Sequence, residues 1–167
     1  MRIRRFLSIL AVTLLAVFAI GAPAQAASGG GGNPHFIYVN AQLVGSDLQV
    51  NFKEAGVGAG ATVDVTTTAT FSFVLGCING GSNHPKASNK TAFSNTVSKS
   101  EPFTASAGGN VIASETLNAP SMGTILSNLI CPPGQTTTLL SAAWTNLSVT
   151  DTTNGITVNV PGTWTVF

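Results

Sequence analysis

Between residues 62 and 77 the chain alternates without interruption. Val63, Val65, Thr67, Ala69, Phe71, Phe73, Leu75 and Cys77 fall on one parity, and Thr62, Asp64, Thr66, Thr68, Thr70 and Ser72 on the other. Strict period two sends successive side chains to opposite faces of an extended strand, whereas a helix would repeat its apolar positions every three or four residues. One face must therefore be buried and the other hydroxylated. Sixteen residues is long for a strand. The pattern predicts a bend or bulge near residues 67–70, letting the strand serve both sheets of a sandwich.

The flanking sequence supplies partners for it. Phe36, Ile37, Tyr38 and Val39 read as a first strand, Gly45-Ser46-Asp47 as a turn, and Leu48, Val50 and Phe52 as the inward side of a second, hairpin-paired strand. Residues 91–98 form a modest strand around Phe93, Asn95 and Val97. Pro102 and Phe103 open another, which turns at Ala107-Gly108-Gly109-Asn110 into a hairpin with residues 111–117. Residues 138–150 are a further strand, with Ala143, Thr145, Leu147 and Val149 on one parity and Trp144, Asn146 and Ser148 on the other. Asn154-Gly155 then marks a hairpin into Ile156, Val158 and Val160, and residues 163–167 close the chain as a short strand. Residues 121–130 have helical apolar spacing with Ser121 as a cap, but Gly123 weakens a helix there; a short helix and a tucked loop both fit. Eight or nine strands at this spacing predict an all-β, two-sheet β-sandwich of immunoglobulin-like type.

The first 26 residues have the form of an export signal. Arg2, Arg4 and Arg5 precede an uncharged apolar run over residues 6–20, Gly21 and Pro23 break it, and Ala24-Gln25-Ala26 places small residues for cleavage after Ala26. The run falls short of the roughly 18 to 20 residues of a spanning helix. A secreted protein with no membrane span after cleavage is expected. Residues 27–34 are a glycine-rich flexible lead-in, and residues 35–167 form a single β-sandwich domain.

Removing the signal removes all three arginines. Lys53, Lys86, Lys90 and Lys99 then stand against Asp47, Glu54, Asp64, Glu101, Glu115 and Asp151: four minus six, a net of −2. Without a basic patch, nucleic acid is not an expected partner. Few charges and many Thr, Ser, Asn and Gly residues suit β-structure with a neutral polar surface. In an exported chain the two cysteines, Cys77 and Cys131, pair most simply with each other. The bridge would contribute roughly 3–4 kcal/mol by the chain-entropy model. Cys131 abuts Pro132-Pro133-Gly134, so the bridge is expected at one end of the sandwich, pinning the loop that follows Cys77.

Polar chemistry concentrates in that loop, Cys77-Ile-Asn-Gly-Gly-Ser-Asn-His-Pro-Lys-Ala-Ser-Asn-Lys90. Asn79, Asn83, His84, Lys86 and Asn89 are its candidate binding residues; the amides can hold a sugar or a cation, although asparagine and glycine also simply build turns. Two distant thiols and two histidines do not make a metal site, and no cofactor motif occurs. The serine-hydrolase elbow, the zinc-protease helix motif and the phosphate-binding loop are all missing. Glycosidase chemistry needs two facing carboxyls. Glu54 and Asp151 are the best placed for it, though each also reads as a strand end or a turn former. Tyr38, Trp144 and Trp164 could form a sugar-stacking platform or pack in the core.

Four stretches also occur together in a recognisable order. They are Phe52-Lys53-Glu54-Ala55-Gly56, the cysteine loop, Cys131-Pro132-Pro133-Gly134-Gln135, and Leu147-Ser148-Val149-Thr150-Asp151-Thr152-Thr153-Asn154-Gly155. With them the chain resembles an uncharacterised family of small exported β-rich proteins of filamentous actinobacteria and some other bacteria. The resemblance implies export and a single domain, and it brings no assigned catalytic residue.

Three functions remain open on the sequence. The first is a non-enzymatic exported protein binding a glycan or another protein at the cell surface through the cysteine loop. The second is an extracellular hydrolase of a polymer such as a glycan, using Glu54 or Asp151 with His84. The third is a self-associating surface component whose long threonine-rich strand pairs edge to edge, if that strand lies at a sheet margin.

Overall fold

A computed structural model of the chain describes residues 32–79 and 89–167. Eight strands, β1 (His35–Val44), β2 (Asp47–Ala55), β3 (Thr62–Asn79), β4 (Lys90–Thr104), β5 (Val111–Leu117), β6 (Gln135–Asp151), β7 (Ile156–Val160) and β8 (Trp164–Thr165), make two packed sheets with one short helix, α1 (Met122–Leu126). One sheet has three strands in the order β1-β2-β5. The other has five, in the order β4-β3-β6-β7, with β8 also beside β6. All pairings are antiparallel. The chain is an all-β sandwich, as its alternation predicts.

The inner faces follow the parities. Leu48, Val50 and Phe52 of β2 and Val111 and Leu117 of β5 meet Val63, Val65, Phe71, Phe73 and Leu75 of β3 and Leu147 and Val149 of β6. Phe52 packs edge-on against Phe103, with centroids 5.4 Å apart, and Phe71 against Trp144 at 4.9 Å. Fully burying one such side chain stabilises by roughly 1.5–3 kcal/mol, so this slab of aromatic and branched residues drives the closure of the two sheets. Ile125, Leu126 and Leu129 of the α1 segment join the same core. Ser121 caps α1 by accepting from the Thr124 amide. The Cys77–Cys131 disulfide, with Cα atoms 5.6 Å apart, ties the end of β3 to the segment entering β6. It lies at one end of the sandwich, as expected.

Three expectations are corrected. First, β3 does shift register against β6 between Thr68 and Thr70, but it stays in one sheet, hydrogen-bonded to β4 on one side and β6 on the other. Second, residues 91–98 and the strand opening at Pro102 are one continuous strand, β4, and it forms no hairpin with β5. The turn closed by Ser106 and Asn110 carries the chain from the five-stranded sheet to the three-stranded one. Third, Trp144 shares the inner face with Leu147 and Val149 although simple alternation separates them. Thr68 pairs with Ser148 but Thr70 with Thr145, which leaves one extra residue on β6. Asn146 absorbs it in the left-handed region at φ 53°. A bulge of this kind flips the parity of everything beyond it.

Asn146 therefore decides whether Trp144 points inward. Asn146→Val is expected to lower the unfolding free energy by about 1–2 kcal/mol in urea titration, because a β-branched residue resists the left-handed conformation. Asn146→Gly is expected to leave stability near wild type.

Candidate functional site

The pairing registers place an ordered array of side chains on the outer face of the five-stranded sheet. Ser100, Thr66, Thr150 and Thr157 lie side by side across β4, β3, β6 and β7. Ser98, Thr68, Ser148 and Asn159 form the next row, and Thr96, Thr70 and Thr145 the third. Ser94, Ser72, Ala143 and Thr165 follow, then Ala92, Val74 and Ser141. Neighbouring strands lie about 4.8 Å apart and same-face residues of one strand about 6.7 Å apart. The face is thus a net of hydroxyls with two nearly constant spacings. Lateral hydrogen bonds hold it: Thr66 donates to Ser100 at 3.0 Å, and hydroxyl–hydroxyl bonds join Thr68 to Ser98 at 2.7 Å and Thr150 to Thr157 at 2.9 Å. None of these five rows contains a charged residue. A shallow groove of about 420 Å³ crosses the last two rows, walled at one side by the exposed Phe167.

At the end of this face where Gly76 pairs with Lys90, the cysteine loop leaves the sheet. Asn79 ends β3 and Asn89 precedes β4, both exposed. The structure thus brings Asn79 and Asn89 to the two feet of one loop beside the disulfide, where Cys77, Asn89, Leu129 and Pro132 help line a groove of about 270 Å³. Asn83, His84 and Lys86 lie outside the described residues.

The three aromatic candidates form no platform. Trp144 is fully buried and donates to the Ser46 carbonyl at 2.9 Å. Trp164, opposite it, is half-buried and donates to the Ala41 carbonyl at 3.2 Å. Tyr38 stands on the outer face of the other sheet beside Lys53. An indole packs in the core when a backbone carbonyl can satisfy its N–H, and both indoles find one.

Glu54 and Asp151 do come together, inside the sandwich and not in a cleft. Both are 0% exposed. Asp151 caps its own turn: Oδ1 accepts from the backbone amides of Thr153 and Asn154 at 2.8 and 3.1 Å, and Oδ2 from the Asn154 side chain at 2.5 Å. These three donors satisfy its acceptor oxygens. Glu54, arriving from β2 in the opposite sheet, has no donor for either oxygen. Two carboxylates in contact have no hydrogen to share, so the contact becomes a bond only when Glu54 carries a proton and donates it to Asp151. Burial first, then the hydrogen bond to Asp151 and its charge, push Glu54 up to about 8. Glu115, also in the core, accepts from the Thr67 hydroxyl across the sheets. Burial raises its pKa as well; Thr67 offsets part of that rise. Neither Glu54 nor Asp151 lines any of the surface grooves described, so in this arrangement a polymer substrate cannot reach the acid pair that glycosidase chemistry would need.

Sequence reading anticipated the hydroxylated side of β3. It did not anticipate that β4, β6 and β7 would extend that side into a net, because register is a property of pairing. The alternating Ser and Thr at residues 94, 96, 98 and 100 were the available signal. Comparison with protein-family models, curated proteins and solved structures finds no match to this chain.

A carboxyl whose pKa is raised on folding favours the folded state fully below its unfolded value, and that contribution is lost as pH rises to the folded value. For Glu54 the window runs from the ordinary glutamate value of 4.5 to about 8, and Glu115 acts in the same direction. The unfolding free energy is therefore expected to fall between about pH 4.5 and pH 8, with Glu54→Gln flattening the slope, as measured by urea unfolding at each pH. Equal slopes in the two proteins would contradict the proton assigned to Glu54.

Proposed function

We propose that this chain is an exported, non-catalytic binding protein with an immunoglobulin-like sandwich, and that it recognises a neutral polysaccharide through the outer face of its five-stranded sheet. One observation carries the reading: five consecutive rows of mostly hydroxyl side chains, in register across the sheet and without a charge. Sugar hydroxyls are donors and acceptors at once, and so are Ser and Thr hydroxyls. A polymer that repeats can engage a surface that repeats, so contacts that are weak one at a time sum along the chain. The absence of charge within these rows, between Asp64 at one end of the face and Lys90 at the other, avoids the desolvation penalty that a neutral ligand could not offset. Asn79 and Asn89, exposed at the feet of the cysteine loop, add amides at the end of the same sheet. The N-terminal signal pattern and the resemblance to exported bacterial proteins support placement outside the cell, where such polymers occur.

Co-sedimentation with insoluble neutral polysaccharides and purified cell-wall glycan tests this reading. Wild type and a control changed on the other sheet, Asn51→Glu, are expected to bind alike. Thr68→Glu/Ser148→Glu, which puts two charges in the middle of the face, is expected to weaken binding by at least about tenfold, or 1.4 kcal/mol. Asn79→Ala/Asn89→Ala is expected to give a smaller loss. Binding that survives the two glutamates, or a wild type that binds none of these polymers, would remove the face from consideration.

A further inference from the structure

The margin of the five-stranded sheet shows an asymmetry among the edge strands. Exposed edges present unpaired backbone groups, and proteins usually guard them with short length, bulges, charges or proline. Three edges here are guarded. The β1 edge carries a register shift between Phe36 and Tyr38. The β5 edge has seven residues and an inward-pointing carboxyl, Glu115. At the far side of the larger sheet, β7 and β8 have five and two residues, separated at Pro161 and Gly162. The remaining edge among the described strands is β4. It runs 15 residues in one unbroken register with β3. Lys99, Glu101 and Pro102 guard its last third, but the eight residues 91–98, Thr-Ala-Phe-Ser-Asn-Thr-Val-Ser, hold no charge and no proline.

That segment also leaves apolar surface at the margin. Phe93, stacked on Phe73 with centroids 5.2 Å apart, and Val97 are each only half-buried on the inner side. An open groove of about 230 Å³ runs between Val97, Ser98 and Lys99 and the end of β5 at Leu117. We propose that residues 91–98 pair with the same residues of a second copy, antiparallel about a two-fold axis at Asn95, joining the two five-stranded sheets into one.

The register follows from three constraints. Residues opposite each other in an antiparallel pair share a face, so inner Phe93 and Val97 must meet inner residues; a one-residue slip would turn the faces over, and in one direction would also set Lys90 against Lys99. Centring on Asn95 sets Phe93 against Val97 twice, once on each side of the axis. Lys99 then faces Thr91, Lys90 faces Ser100 and Glu101 faces Asn89, so no like charges are opposed. A slide of two residues either way replaces the apolar pair, setting Phe93 against Lys99 or Asn95. The interface is self-complementary, as a two-fold contact requires, and it would make the hydroxyl face continuous through both copies. It does not rest on that face having a ligand.

Sedimentation velocity on the purified protein without any glycan, from about 1 to 100 μM, spans the affinities of weak to moderate association. The expected result is a monomer–dimer equilibrium for wild type. Asn95 is exposed, so Asn95→Lys should fold normally; it places two lysines opposite each other at the axis and is expected to weaken the dimer at least tenfold. Mixing Asn95→Lys with Asn95→Glu should restore a heterodimer, an outcome that loss of folding could not produce. A wild type that stays monomeric throughout the range, or a dimer that Asn95→Lys leaves unchanged, would overturn the proposal. A monomer whose β4 edge instead takes up an extended peptide of unrelated sequence would overturn it in favour of capture of a foreign strand.

Discussion

The whole molecule is referenced to the pairing of β3 on both of its edges. Its eighteen residues are hydrogen-bonded to β4 along one side and to β6 along the other, so its two faces become the two working surfaces of the larger sheet. Inward, its apolar parity supplies the floor on which the three-stranded sheet closes. Outward, Thr66, Thr68, Thr70 and Ser72 are the central column of the hydroxyl net. Neither surface could change independently, because period two ties the position of every inner side chain to that of its outer neighbours.

The core bound to this strand is not purely apolar. Three carboxyl groups sit between the sheets, each handled differently. Asp151 is met by donors from its own turn, Glu115 by a hydroxyl from the facing sheet, and Glu54 only by another acid. An isolated charge at that depth is too costly, so Glu54 is accommodated by keeping its proton. The pair that would have suggested hydrolysis, had it opened on a cleft, is therefore a contact between the two layers. The five hydroxyl rows on the outer face of the larger sheet are neutral, and their contrast with the acids inside is what directs the functional reading towards binding.

Local signals were read correctly wherever a single segment contained the answer. The alternation of residues 62–77, the Asn154-Gly155 turn, the Ser121 cap and the hairpin of the first two strands each depend on neighbours in sequence. The disulfide followed from there being two cysteines in a chain with an export-like start. Readings that depended on distant partners were less secure. The parity of Trp144 changed because Asn146 adopts the left-handed conformation against β3. The apparent hairpin after Pro102 dissolved because Phe103 faces Val63 and β5 pairs with β2. The threonine-rich strand proved central, so the free margin belongs to β4, a segment whose sequence alone reads as two weak strands.

By itself, then, the sequence determined the class of the fold, the inner and outer sides of its longest strand, the location of most turns and the identity of the cross-link. These are consequences of backbone periodicity and of local turn chemistry, which need no knowledge of the partner strand. Only the tertiary structure decided which strands are neighbours, and with that three things of functional weight. It assembled separate Ser and Thr residues into one neutral face, it sealed Glu54 against Asp151 away from solvent, and it left β4 at the margin. The physical reason is common to all three: a strand's own residues fix which way its side chains point, but only hydrogen bonding to another strand fixes what they point beside.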